Sequence, residues 1–169
     1  MDVSIKIISE NVSEIRDAIG LSQGDFALLT GISRATLVNI ESGSKSIKVK
    51  SLDGIVNFTK IELDKLTKKG FKPSDNLREK LLKYYRKEPS IYVILSKEPS
   101  IPHGIKYKLL KTDFLDKPKE TREIRKFFKD NYGWEFKGNS IHSSLRRLTD
   151  RVNIIPHPTK KNTNVYKRK

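Results

Sequence analysis

The chain has 169 residues, room for one large domain or two small ones, and its net charge of +15 points to a polyanion as partner. It holds no cysteine, which excludes disulfide frameworks and cysteine-ligated zinc or iron–sulfur centres. No apolar run approaches the roughly 18 residues of a membrane helix, and the opening MDVSIKIISENVS is too polar for a signal peptide, so the expectation is a soluble cytoplasmic protein with no membrane partner. The charge is unevenly placed. Residues 1–70 carry ten Lys and Arg against nine Asp and Glu, whereas residues 71–169 carry twenty-five against eleven.

Met1 to Asn11 reads as a short strand or a loose arm, because Val3, Ile5 and Ile7 alternate with polar residues. Ser13 is the expected cap of a first helix, Glu14 to Ile19, which Gly20 ends. The next stretch, LSQGDFALLTGISRATLVNIESG (Leu21–Gly43), is the most informative in the chain. Ser22 and Asp25 stand at capping-box spacing before a helix from Gln23 to Thr30, and Gly31 can end it in the left-handed conformation. Ser33 caps a second helix, Arg34 to Ser42, stopped by Gly43. Phe26, Leu29, Ile32, Leu37 and Ile40 make one apolar seam, and Ala27 and Gly31 are small where two backbones are expected to cross. Leu28 lies off that seam, an ordinary exposed leucine or a contact for the second half or a partner subunit.

This stretch resembles the Cro/phage-repressor (XRE-like) helix-turn-helix domain, over about residues 11–69. The resemblance implies a five-helix bundle that works as a homodimer on double-stranded DNA, with its third helix in the major groove. Carried onto this sequence, Arg34, Ala35, Val38 and Asn39 would face base edges. Gln23, Lys45, Lys48 and Lys50 would contact the DNA backbone. A fourth helix capped by Ser51 and a fifth from Ile61 to Lys68 complete the expected domain, residues 1–70.

Residues 71–101 read as linker and amphipathic helix: KGFKPSD (Lys69–Asp75) links, and the helix runs from Asn76 to Lys87. Leu77, Leu81, Tyr84 and Tyr85 form its apolar stripe; Arg78, Lys80, Lys83, Arg86 and Lys87 form the basic one. KEPSI then occurs twice, at Lys87 and Lys97, around IYVIL, which suits either a buried strand or a two-turn helix.

From residue 102 the expected order is a helix (Gly104–Phe114), a turn at DKPKE, and a helix capped by Thr121 running to about Asn131. A connector able to hold a strand (NYGWEFKG) follows, then a helix from Asn139 or Ser140 to about Asp150, and two strands around a lysine-bearing tip. That order resembles a winged helix. The fold class is therefore mainly α, with an N-terminal helix-turn-helix bundle and a C-terminal winged-helix-like α+β domain bearing a small antiparallel β-hairpin. The resemblance implies a second DNA-binding module. Its helix would present Ser140, His142, Ser143, Arg146 and Arg147. Its wing would present Lys160, Lys161, Asn162, Thr163 and Asn164, with Lys167, Arg168 and Lys169 at the end.

Catalysis finds no support. His103, His142 and His157 lack metal-ligand spacing, and there is no phosphate-binding glycine loop, HExxH or nucleophile elbow. No enzyme activity, metal or cofactor is expected. The function that follows is a sequence-specific transcriptional regulator, most simply a repressor, reading DNA through two modules. The alternative is an antitoxin whose first domain represses its operon while the C-terminal half binds a protein toxin. A purely architectural DNA-binding role is a third reading.

Overall fold

The structure, a computed structural model, describes residues 3–169, and the chain divides into two compact units, one ending at Ser100 and the other Ile101–Lys169. The first unit opens on a single long helix, α1 (Val3–Ile19), where a strand or loose arm was expected. Met1 and Asp2 of that arm lie outside the described residues. The physical reason is a longer period: Ile5, Ile8, Val12, Ile15 and Ile19 recur at steps of three and four, and Val12, Ile15 and Ile19 are fully buried. The local alternation of Val3, Ile5 and Ile7 is overridden by that stripe. Ser13 consequently sits inside the helix and caps nothing.

Helices α2 (Gln23–Thr30) and α3 (Arg34–Ser42) have the expected bounds and caps. The Ser22 hydroxyl accepts from the Asp25 amide at 3.0 Å, and the Ser33 hydroxyl accepts from the Thr36 amide at 3.0 Å. Gly31 and Gly43 close the two helices at φ 68° and 64°, where a β-carbon is strained. A β-carbon added at Gly31 would meet nothing within 4 Å, so the closest backbone approach is elsewhere. It is at Gly54, where an added β-carbon would lie 2.1 Å from the Thr30 carbonyl oxygen. Gly54 belongs to α4 (Val49–Thr59), which starts two residues before Ser51; its N-cap is Lys48, and Ser51 is buried in the first turn. A short α5 (Leu63–Thr67) follows, and Leu66 seals it onto the core.

Residues 71–100 pack within the first unit. Helices α6 (Leu77–Tyr84) and α7 (Pro89–Leu95) run through them. IYVIL is thus helical, with Pro89 in its first turn, where a missing N–H costs nothing. The stripes of α6 are not those expected: Arg78 is buried, and Tyr84 is exposed. The Arg78 guanidinium donates to the carbonyls of Ile19 (2.6 Å), Leu95 and Lys97 (2.6 Å). Tyr85 stacks on Phe58 and donates its hydroxyl to the Phe58 carbonyl at 2.7 Å.

The second unit begins with α8 (Ile101–His103), which continues through a π-turn, Gly104–Lys108, and a 3-10 turn, Leu109–Lys111. A separate 3-10 turn spans Phe114–Asp116. The expected regular helix to Phe114 is therefore broken. Gly104 lets aromatic rings press on the backbone: a β-carbon there would be 2.7 Å from the Phe136 ring. Strand β1 (Lys119–Glu120) lies in the expected turn, and no strand forms in NYGWEFKG. Helix α9 (Thr121–Tyr132) is capped by Glu120, not Thr121, through a reciprocal box with Glu123. Helix α10 (Gly138–Leu145) begins before both expected caps, with Lys137 at its N-cap position making no side-chain cap bond, and ends five residues before Asp150. Its end tightens as Arg147 N–H donates to Ser144 and Leu148 N–H to Leu145, turning Leu148 toward the core. Strands β2 (Val152–Pro156) and β3 (Asn164–Arg168) form the hairpin, and β1 pairs on the other side of β3, all antiparallel, in the order β1-β3-β2. Ile105, Leu115, Ile124, Phe128, Ile141 and Tyr166 centre the core. Among the described residues, no helix is long and apolar enough to cross a membrane.

Candidate nucleic-acid interface

Three helices are locked together beneath α3 by one carboxylate. Glu41 accepts from Arg16 Nε at 2.5 Å and Nη2 at 3.4 Å, and from Gln23 Nε2 at 2.7 Å. Arg16 also donates to the Leu21 carbonyl at 3.1 Å. This network joins α1, α2 and α3, so the pose of α3 is fixed from below. Glu41 is neutralised by Arg16 and does not present an open negative charge beside the outer face. Gln23, expected on the DNA backbone, is half-buried with its amide nitrogen on Glu41.

The outer face of α3 carries Arg34, Ala35 and Val38, all exposed, with Ser42 one turn further on the same side. Asn39 is half-buried; its side-chain oxygen accepts from Ser44 at 3.5 Å. Lys45, Lys48 and Lys50 are exposed, in the loop after α3 and the first residues of α4. A cation-bearing rim thus flanks a short face of mixed apolar and hydrogen-bonding groups. Leu28 is 67 % exposed on α2.

In the second unit, the exposed residues of α10 and the turn after it are Asn139, Ser143, Arg146 and Arg147. Their spacing of four, three and one puts them on one side. The sequence offers Asn139 as a cap, and its place four residues before Ser143 is the signal that it shares this face. Ser140 is half-buried. His142 is not on the outer face: its Nδ1 is hydrogen-bonded to the hydroxyl of buried Tyr166 on β3. Arg146 and Arg147 stand past the end of α10 rather than within it.

The hairpin tip divides the expected wing residues into two groups. Lys161, Asn162 and Asn164 are exposed, as is Lys167 further along β3, and Asn162 has a left-handed backbone (φ 55°) that asparagine tolerates. Thr163 is half-buried, and its carbonyl accepts from the His157 amide at 2.8 Å, closing the tip. Lys160, itself exposed, and half-buried Arg168 are each paired with a carboxylate of the unit. Lys160 pairs with Glu120, whose carboxylate also faces His157 Nε2 at 3.3 Å and Arg122 at 3.1 Å. Arg168 pairs with Asp116, its Nε 2.9 Å from Oδ1.

Glu120 is therefore both the cap of α9 and the anchor of the tip. The Lys160 hydrogen bond, outweighing desolvation and aided by Arg122 and His157, holds its carboxyl below the usual carboxylate range. A depressed carboxyl stabilises the fold above the pH where an ordinary Glu titrates, and that contribution is lost as pH falls through the lowered value. Acidification is expected to release the tip, read as a shift of the Thr159 and Lys160 amide resonances. Glu120→Gln should place those resonances near the released position at neutral pH and remove the acid transition.

Residues 12–66 match a protein-family model described as helix-turn-helix, which spans the second half of α1 through α5. No curated protein and no solved structure matches the chain.

Proposed function

We propose that this chain, a DNA-binding transcription regulator by its helix-turn-helix domain at residues 12–66, is a cytoplasmic, non-enzymatic, sequence-specific repressor that reads DNA through two modules. The observation that carries the reading is the outer face of α3. Arg34, Ala35 and Val38 stand exposed on a helix capped at both ends and pinned from below by Glu41. Asparagine suits adenine, valine the thymine methyl, and arginine guanine or phosphate. Lys45, Lys48 and Lys50 flank this face and suit phosphates, which supply affinity without sequence information. As in the family it resembles, the domain would act as a homodimer on a two-fold site.

The second module rests on the element order of residues 101–169: helix, short strand, two helices and a hairpin, with β1 beside β3. That order supports a winged-helix reading, as does a charge of eighteen Lys and Arg against seven Asp and Glu in this unit. Asn139, Ser143, Arg146 and Arg147 would then meet a groove, and Lys161, Asn162 and Asn164 the neighbouring backbone.

Binding of the full chain to the DNA upstream of its own gene, against a scrambled duplex, tests the reading. Arg34→Ala or Asn39→Ala is expected to weaken the specific site by about 1–3 kcal/mol and to relax discrimination, with little change on scrambled DNA. Equal losses on both duplexes would remove α3 from base readout.

A further inference from the structure

The first unit holds a cavity that the DNA reading leaves unused. It has a volume of about 420 Å³ and lies between the α4–α5 connection and α6. Its walls are apolar: buried Pro73, Leu77 and Leu81, half-buried Ile61 and Phe71, and the exposed ring of Tyr84. That volume falls in the range of small-ligand pockets, which pair apolar walls with a few placed polar groups. Here those groups are mostly cationic. Lys60, Lys65 and Lys80 line the cavity against one carboxylate, Glu62. Lys65 lies 3.5 Å from Asp64, and Lys80 donates to the Ser74 hydroxyl at 3.2 Å.

Lys60 is the unusual member. It ends α4 with a left-handed backbone, φ 58°, at a position where glycine is the unstrained choice. A lysine held there against its backbone preference places its ammonium 4.8 Å from the centre of the Tyr84 ring and 5.7 Å from that of Tyr85. Residues held in such regions cluster at ligand clamps and active sites. The exposed tyrosine is the one residue of the α6 apolar stripe that the core does not take.

We propose that this cavity is a binding site for a small aromatic anion, a carboxylate or sulfonate. Its ring would lie among Phe71, Leu77, Leu81 and Tyr84, and its charge would sit against Lys60 and Lys80. The site is complete within the first unit and does not depend on how the second unit is used.

The test titrates the full-length protein with 8-anilinonaphthalene-1-sulfonate at fixed salt, with benzoate as competitor and uncharged N-phenyl-1-naphthylamine as control. One saturable site per chain is expected, displaced by benzoate, with the uncharged dye at least tenfold weaker. Lys60→Gly relieves the left-handed strain, so it is expected to leave the thermal midpoint unchanged or raised while weakening the dye at least fivefold. Lys80→Gln should weaken it further. Absence of a saturable site overturns the proposal. So does affinity unchanged by both lysine variants, equal binding of the uncharged dye, or a site closed by self-association and opened only on dilution in sedimentation runs.

Discussion

Replacing Arg78 by methionine is expected to destabilise the first unit by about 3–5 kcal/mol, since each buried acceptor left unmet costs about 1–3 kcal/mol. Three carbonyls share this one guanidinium. Ile19 is the last residue of α1, Leu95 the last of α7, and Lys97 lies just beyond. Helix C-termini carry unsatisfied carbonyls and the negative end of the helix dipole, so a cation there is favoured twice. Burial pulls the Arg78 pKa below the ordinary arginine value, opposed by neighbouring Glu79. Methionine fills similar space and bonds none of the three oxygens. Arg78→Lys keeps the charge but lacks the forked geometry to reach three acceptors, so an intermediate loss is expected. Urea unfolding measures the free energy, and limited proteolysis between α5 and α6 reports whether residues 71–100 have come away. A loss under about 1 kcal/mol would mean that apolar contacts of Leu77, Leu81 and Tyr85 suffice to hold the segment.

That residue also marks where the sequence stopped being readable. Amphipathic reasoning put Arg78 with the lysines of α6 and Tyr84 with the leucines, and the structure exchanges them. Arg78 lies beside Leu77, on the edge of the inward face, and what it meets there is set by the ends of two other helices, one of them fifty-nine residues away. No local pattern contains that information. The helix-turn-helix was legible for the opposite reason. Ser22 and Ser33 satisfy amides three residues on, and Gly31 and Gly43 take conformations only glycine enters freely, so each boundary is decided within its own turn. The outward placement of Arg34, Ala35 and Val38 followed from the seam on the other side.

The candidate interface of the second unit was partly legible by the same rule. Ser143, Arg146 and Arg147 stand exposed as expected, since Ile141 and Leu145 fix which side is in. His142 was misplaced because its partner, Tyr166, lies on a strand twenty-four residues later. Lys160 and Arg168 were counted as open cations although Glu120 and Asp116, forty and fifty-two residues before them, hold them. Strand β1 has two residues, too few for alternation to register. Its existence depends on the β3 edge it pairs with.

The division of the second unit's cations into exposed and paired ones sets the scale of the second large effect. Arg146, Arg147, Lys161 and Lys167 are exposed, and changing all four to alanine in the full chain is expected to flatten the salt dependence of DNA binding. Each phosphate neutralised contributes roughly 0.9 to the slope of log affinity against log salt, so four contacts amount to about 3.6. Between 50 and 200 mM salt, wild type is then expected to lose about a hundredfold more affinity than the variant. The loss should fall on specific and scrambled duplexes alike, because phosphates carry no sequence. Lys160→Ala with Arg168→Ala probes the opposite case. Those two charges are already partnered by carboxylates, so their removal should move the slope less and the folding of the tip more. If the fourfold variant binds with an unchanged slope, the eighteen cations of residues 101–169 serve another polyanion. An acidic protein surface then becomes the partner, as the antitoxin reading requires, and the helix-turn-helix domain alone accounts for the contact with DNA.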